Sequence, residues 1–252
     1  LRSRIIPCLL VHEKGLVKTV NFRDSKYVGD PLNAVKIFNE KEIDELIVLD
    51  IDATKDKRGP DFTLIRNLAA ECRMPFCYGG GVSSVEEARK IISLGVEKVA
   101  LSSAVIDNPY LCRDIGKAIG VQSVVVVLDV RRRGFFGGYD IFTVNGKIKS
   151  KRKLKDFILE LNQIGVGEII VNSIDNDGRM TGYDMELASL VRDLCDTPIT
   201  ILGGAGSLDH IKELIAKFKV IGAAAGSLFV FKGKYKAVLI NYPNKEEKFP
   251  LY

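Results

Sequence analysis

The chain repeats itself at about half its length. Phe76-Cys77-Tyr78-Gly79-Gly80-Gly81-Val82-Ser83-Ser84 reads as an apolar strand running into a glycine turn and a helix start. Ile201-Leu202-Gly203-Gly204-Ala205-Gly206-Ser207 has the same form. The echo extends beyond the glycines. Residues 45–52 (ELIVLDID) resemble residues 168–175 (EIIVNSID), and residues 5–11 (IIPCLLV) resemble residues 124–130 (VVVVLDV). A repeat this long denotes a duplicated half-fold, not a solenoid of short units. The halves span about 1–120 and 121–252 of one domain. The last pairing sets Leu10 against Asp129, a leucine where the other half has a carboxylate.

Between the echoes, apolar runs alternate with helical periodicity. Strands are expected at 4–11, 45–51, 75–78, 99–103, 123–130, 168–173, 197–202 and 220–225, with a helical stretch closing the chain. Asp30-Pro31, Asp61, Ser84 and Asn108-Pro109 are helix-start signals. Residues 14–24 read as a long loop, and Asn145-Gly146 as the tight turn of a hairpin. The strands are apolar almost throughout, as parallel strands covered on both faces must be. Eight βα units in a chain of 252 residues predict an α/β fold, a (β/α)8 TIM barrel of two repeated half-barrels. A doubly wound open sheet is the alternative, and the repeat favours the closed barrel.

In such a barrel, chemistry sits at the C-terminal ends of the strands. Those ends hold Leu10, Asp50, Asp52, the two glycine turns, Ser102, Ser103, Asp129, Asp175, Asp177, Gly226 and Ser227. Glycine turns offer backbone N–H groups to an anion, so two of them predict a ligand phosphorylated at both ends. Asp129 and Asp177 would lie between, where a carboxylate can move a proton. A net charge of +5 suits a small anion better than nucleic acid, and no aromatic-basic module for nucleic acid is present. No apolar run is long enough to span a bilayer, and no signal peptide opens the chain. Cys8, Cys72, Cys77, Cys112 and Cys195 show neither CxxC nor metal-ligand spacing, which points to a reduced, cytoplasmic setting with no metal and no cofactor. Arg131-Arg132-Arg133 and residues 147–155 are expected to form a mobile basic loop over an anionic ligand or partner.

Several blocks together resemble the cyclase subunit of imidazole glycerol phosphate synthase. They are residues 4–9 (RIIPCL), 20–24 (VNFRD), 29–31 (GDP), 44–46 (DEL), 79–81 (GGG), 173–178 (SIDNDG), 182–184 (GYD) and 203–207 (GGAGS). The resemblance runs from Arg4 to about Phe231. It implies a subunit that takes ammonia from a partner glutaminase at the barrel floor and conducts it to a phosphorylated small molecule. By position, it implies phosphate contacts from Gly81, Ser102 and Ser103 on one side. On the other side they come from Asp177, Gly178, Gly204, Gly206, Gly226 and Ser227. Lys18 would face the substrate, Asp129 would be a catalytic acid or base, and Arg4, Glu45, Lys98 and Glu168 would form a charged ammonia gate. The family's other catalytic aspartate falls on Leu10, and Asp52, Ser102, Asn172 and Leu202 depart from the family pattern nearby. Losing a general acid or base typically costs about 10²–10⁴-fold in rate.

A rebuilt mouth above an intact gate resembles a paralogous group of surface-polysaccharide gene clusters. There a cyclase-like and a glutaminase-like subunit serve an ATP-using sugar amidotransferase that makes an acetamidino group. The expected function is therefore an ammonia-conducting subunit in sugar amidation. The alternatives are the histidine-pathway cyclase and a non-catalytic scaffold that activates a glutaminase.

Overall fold

The structure, a computed structural model, describes residues 2–134 and 137–251. Phe135 and Phe136, part of the expected basic loop, lie outside the described residues. Eight parallel strands close into a barrel: β1 (Arg4–His12), β2 (Leu46–Asp50), β3 (Phe76–Gly79), β4 (Lys98–Leu101), β5 (Val124–Arg132), β6 (Glu168–Ser173), β7 (Ile199–Leu202) and β8 (Gly222–Ala225). Sheet order follows chain order; β8 pairs with β1, and β6 with both β5 and β7. The main covering helices are α1 (Pro31–Glu40), α2 (Phe62–Glu71), α3 (Val85–Ser93), α4 (Tyr110–Ile119), α5 (Leu154–Ile164), α6 (Met185–Leu194) and α7 (Leu208–Phe218). None of the helices among the described residues is long and apolar enough to cross a membrane.

Strand parity divides the apolar residues into two cores. Outward-facing Val126 and Leu128 of β5 join Phe38, Tyr78, Phe157 and Phe229 between sheet and helices. Inward-facing Val125 and Val127 join Ile6, Cys8, Ile47, Cys77, Ile170 and Ala224 inside the barrel. The helix starts follow their caps. Asp30 accepts from Asn33 N at 2.9 Å, Asp61 from Leu64 N at 3.0 Å, and Ser84 and Glu87 form a reciprocal capping box. Asn108-Pro109 does precede α4, but its start has no side-chain cap.

Three expectations need correction. Residues 14–24 are not a long loop: strands Gly15–Val20 and Arg23–Gly29 form a hairpin that extends β1 above the barrel. Its turn residues Asn21 and Phe22 both take left-handed φ, +53° and +63°, which gives the twist a two-residue hairpin needs without any glycine. Residues 147–155 are not a loop either. Strands Tyr139–Thr143 and Ile148–Lys153 form the corresponding hairpin on β5, and α5 begins at Leu154. Its turn is longer than two residues, with Val144, Asn145 and Gly146 all left-handed. Finally, the closing helical stretch is broken into Ser227–Val230 and Lys245–Lys248, the latter followed by the 3-10 turn Phe249–Leu251, with the short hairpin of Phe231–Lys232 and Ala237–Val238 between the two helices.

Candidate active site and charged floor

A cavity of about 430 Å³ opens at the C-terminal ends of the strands. Its two sides are built alike. On one side the β3 turn meets Ser102 and Ser103, which open the short helix Ser103–Asp107 after β4. On the other side the β7 turn meets Gly226 and Ser227, which open Ser227–Val230 after β8. Close packing explains the glycines. A Cβ on Gly81, at φ +73°, would lie 2.6 Å from the Arg58 carbonyl oxygen. One on Gly204, at φ +108°, would lie 2.0 Å from the Gly182 carbonyl oxygen.

Gly81, Ser102, Ser103, Asp177, Gly178, Gly204, Gly226 and Ser227 all line the cavity. Gly206 lies outside its lining: its N–H donates to His210 Nδ1 at 3.1 Å, and its α-carbon packs on Met180. The first side has cationic neighbours that motif reading missed, Lys57 and Arg58. Asp50 holds that loop in place, accepting from Ala53 N at 3.2 Å and from the Arg58 guanidinium at 2.9 Å.

Lys18 and Asp129 lie between the two sides. Lys18 is buried and donates from Nζ to the Cys8 carbonyl oxygen at 2.5 Å. Burial lowers its pKa, while Cys8 and Asp177 act the other way. Burial raises the Asp129 carboxyl to about 7; the bond from Asn172 Nδ2, at 3.0 Å, opposes that rise, and Asp177 adds to it. The Asp177 carboxylate serves the first hairpin, accepting from Thr19 Oγ1 at 2.7 Å and Phe22 N at 3.3 Å. The second hairpin is fastened by Asn145, whose Nδ2 donates to the Ile51 carbonyl oxygen at 2.7 Å. The sequence marked Asn145 as a turn residue and gave no sign of this reach. Leu10, Leu49 and Leu202 supply apolar lining to the same space.

Below the cavity the axis is filled by the inner core, and below that lies the charged ring. Arg4 pairs with Glu45 and, at 2.7 Å, with Glu168. Lys98 pairs with Glu45 at 2.7 Å and Glu168 at 2.8 Å. Each cation bridges both carboxylates, and each carboxylate is only 3% exposed. Burial alone would raise the Glu168 carboxyl; Arg4 and Lys98 outweigh it and hold the group below its ordinary value.

With this geometry in place, the relatives decide the family. The profile of the histidine biosynthesis protein family matches residues 4–236. The chain belongs to that family. It is 56% identical over 248 residues, covering 98% of this chain and 95% of the relative, to a Vibrio vulnificus protein provisionally named imidazole glycerol phosphate synthase subunit hisF3. A Pseudomonas aeruginosa protein provisionally named as the hisF2 subunit is 49% identical over 243 residues, 96% of each chain. The imidazole glycerol phosphate synthase subunit HisF of Streptococcus mutans is 38% identical over 229 residues, 91% of each chain.

Two other expectations for this HisF-like barrel change in three dimensions, one for Asp52 and one for the three arginines. Asp52 does not enter the cavity. It turns aside to accept from His12 Nδ1 at 2.8 Å and Glu13 N at 2.8 Å, so its carboxylate is engaged outside the cavity lining. The three arginines after Val130 are already engaged: Arg131 with Asp175 at 3.7 Å, Arg132 with Glu186, and Arg133 with Asp140 at 2.7 Å.

Proposed function

We propose that this chain is the barrel subunit of a glutamine-dependent amidotransferase. It receives ammonia from a partner glutaminase docked on the charged floor and conducts it along the apolar axis. The acceptor is a phosphorylated small molecule held between the two glycine turns, and the pathway is sugar amidation with an ATP-using amidotransferase as a further partner. The observation that carries this reading is the contrast between the two ends. The floor keeps all four charges in a closed ring, whereas Leu10 stands where the mouth would need a second carboxylate. The relatives numbered hisF2 and hisF3 support a branch of subunits beside the histidine-pathway HisF.

The deciding experiment supplies the histidine-pathway ribulosyl substrate with saturating ammonium salt, which bypasses any glutaminase. Very weak or absent cyclisation is expected. Turnover approaching the ~10 s⁻¹ typical of enzymes would overturn the reading. One observation favours that second reading, the histidine-pathway cyclase. Asp129, with its carboxyl near 7, is suited to general acid–base work, and Lys18 lies in the same cavity.

A further inference from the structure

The charged ring has an uncharged neighbour that no motif marks. Thr200 is fully buried on β7, and its hydroxyl donates to Glu168 Oε1 at 2.5 Å. Thr200 Oγ1 in turn accepts from Arg4 Nη2 at 3.5 Å. Thr200 therefore touches two of the four ring members and uses both its donor and its acceptor there.

Gly222 makes this possible. In register, Arg4 on β1 pairs with Gly222 on β8, and Gly222 pairs with Thr200 on β7. Arg4 thus reaches past β8 and β7 to meet Glu168 on β6. A Cβ at Gly222 would lie 1.8 Å from Thr200 Oγ1, so any other residue there would evict the hydroxyl. Glu168 consequently receives bonds from Arg4, Lys98 and Thr200, whereas among the described residues Glu45 receives them from Arg4 and Lys98. A buried carboxylate held by several donors is fixed in orientation as well as in charge.

We propose that Thr200 is a fifth, uncharged member of the floor ring, a positioning residue that fixes Glu168 and thereby keeps Lys98 across the axis, with Gly222 providing its room. Its bearing on ammonia passage rests on the function proposed above; its effect on the ring does not.

The test reads the ring directly on the purified barrel. Acetylation of Lys98 by an N-hydroxysuccinimide ester is followed by mass spectrometry and normalised to exposed Lys234. Thr200→Val, which keeps the shape and removes the hydroxyl, is expected to raise the Lys98 rate about fivefold, the factor one typical hydrogen bond carries. Thr200→Ser should match the wild type. Gly222→Ala should lower the melting temperature and expose Lys98. Adding Thr200→Ala to it should recover part of the melting temperature, because the 1.8 Å collision with Oγ1 is gone while a 2.8 Å approach to its Cβ stays, but leave Lys98 reactive. Equal Lys98 protection in Thr200→Val and wild type would overturn the proposal, as would a Thr200→Ser variant as reactive as Thr200→Val. Neither result depends on whether ammonia passes, which is judged by coupling to the glutaminase.

Discussion

The side-chain amide of Asn172 donates to the carboxylate of Asp129 across 3.0 Å, and the two residues are direct register partners on β6 and β5. This bond favours the charged form, yet burial wins and the carboxyl sits near 7. The Asn172 amide oxygen is itself buried without a partner, so this polar pair stands in a setting that gives it little help from solvent.

The first prediction follows from the sign of that shift. The folded state holds the Asp129 proton to a higher pH than the unfolded chain does. The group's stabilising contribution is therefore complete below about pH 4 and is lost as pH rises through about 7. Asp129→Asn removes the titration. Relative to the wild type, the variant should gain stability between pH 5 and 8, on the order of a few kcal/mol at the upper end. Parallel melting curves of the two proteins across that range would contradict the buried-carboxyl account.

The second concerns Leu10. Leu10→Asp restores a carboxylate at the cavity lining, in the half-barrel position matching Asp129. Any residual cyclisation of the ribulosyl substrate with ammonium salt should rise, by up to about 10²–10⁴-fold if the missing group is the sole deficit. An unchanged rate would assign the deficit to Ser102, Asn172 and Leu202, which line the same space.

The third concerns the ring. Lys98→Ala should uncouple glutamine hydrolysis from amidation in the presence of the glutaminase, with ammonia appearing in the solvent. The ring also carries stability, because Glu45 and Glu168 are nearly fully buried and would share Arg4 alone. Removing one partner of a buried pair costs about 3–5 kcal/mol. For a chain of this size that is a melting-temperature fall on the order of 10 °C. A large fall with coupling intact would reduce the ring to a structural layer.

The fourth concerns anions. Crystals soaked in concentrated sulfate should show one ion near Gly81 and Ser103 and another near Gly204 and Ser227. Gly81→Ala should empty the first position and leave the second occupied, because its Cβ would strike the Arg58 carbonyl and push the 53–59 loop away. Both positions empty in the unmodified protein would mean that the turns are packing devices only.

The sequence made some of this architecture plain and hid the rest for identifiable reasons. Strands such as residues 124–130 announced themselves because both faces of each are buried, and Ser84 with Glu87 announced α3 through a complete capping box. The hairpin over residues 15–29 went unseen. Its outer strand Arg23–Gly29 is mostly exposed and polar, and its turn uses Asn21 and Phe22 in a conformation that glycine usually signals. Asp52 was misplaced because position near a strand end does not determine which way the chain turns beyond it. Gly206 was counted with the cavity because the glycine motif continues through it, although its N–H is taken by His210. Thr200 gave no signal at all: its role depends on a missing side chain at Gly222, on the strand that lies between it and Arg4.

The two longest barrel strands have one more consequence. β1 and β5 are each nine residues long, and each continues past the barrel wall into a hairpin. On β5 the pairing to β6 ends at Val130, one residue after Asp129, while Asp129 itself already pairs with Phe142 of the hairpin. Asp129 is thus the last rung but one of one ladder and the first of another. The hairpin is a lever arm whose fulcrum is the barrel rim, and the carboxylate sits at the pivot. Under the proposed function, a ligand that draws Asn145 of the cavity lining inward pulls on a ladder that starts at Asp129, so ligand capture and the orientation of that carboxylate are coupled.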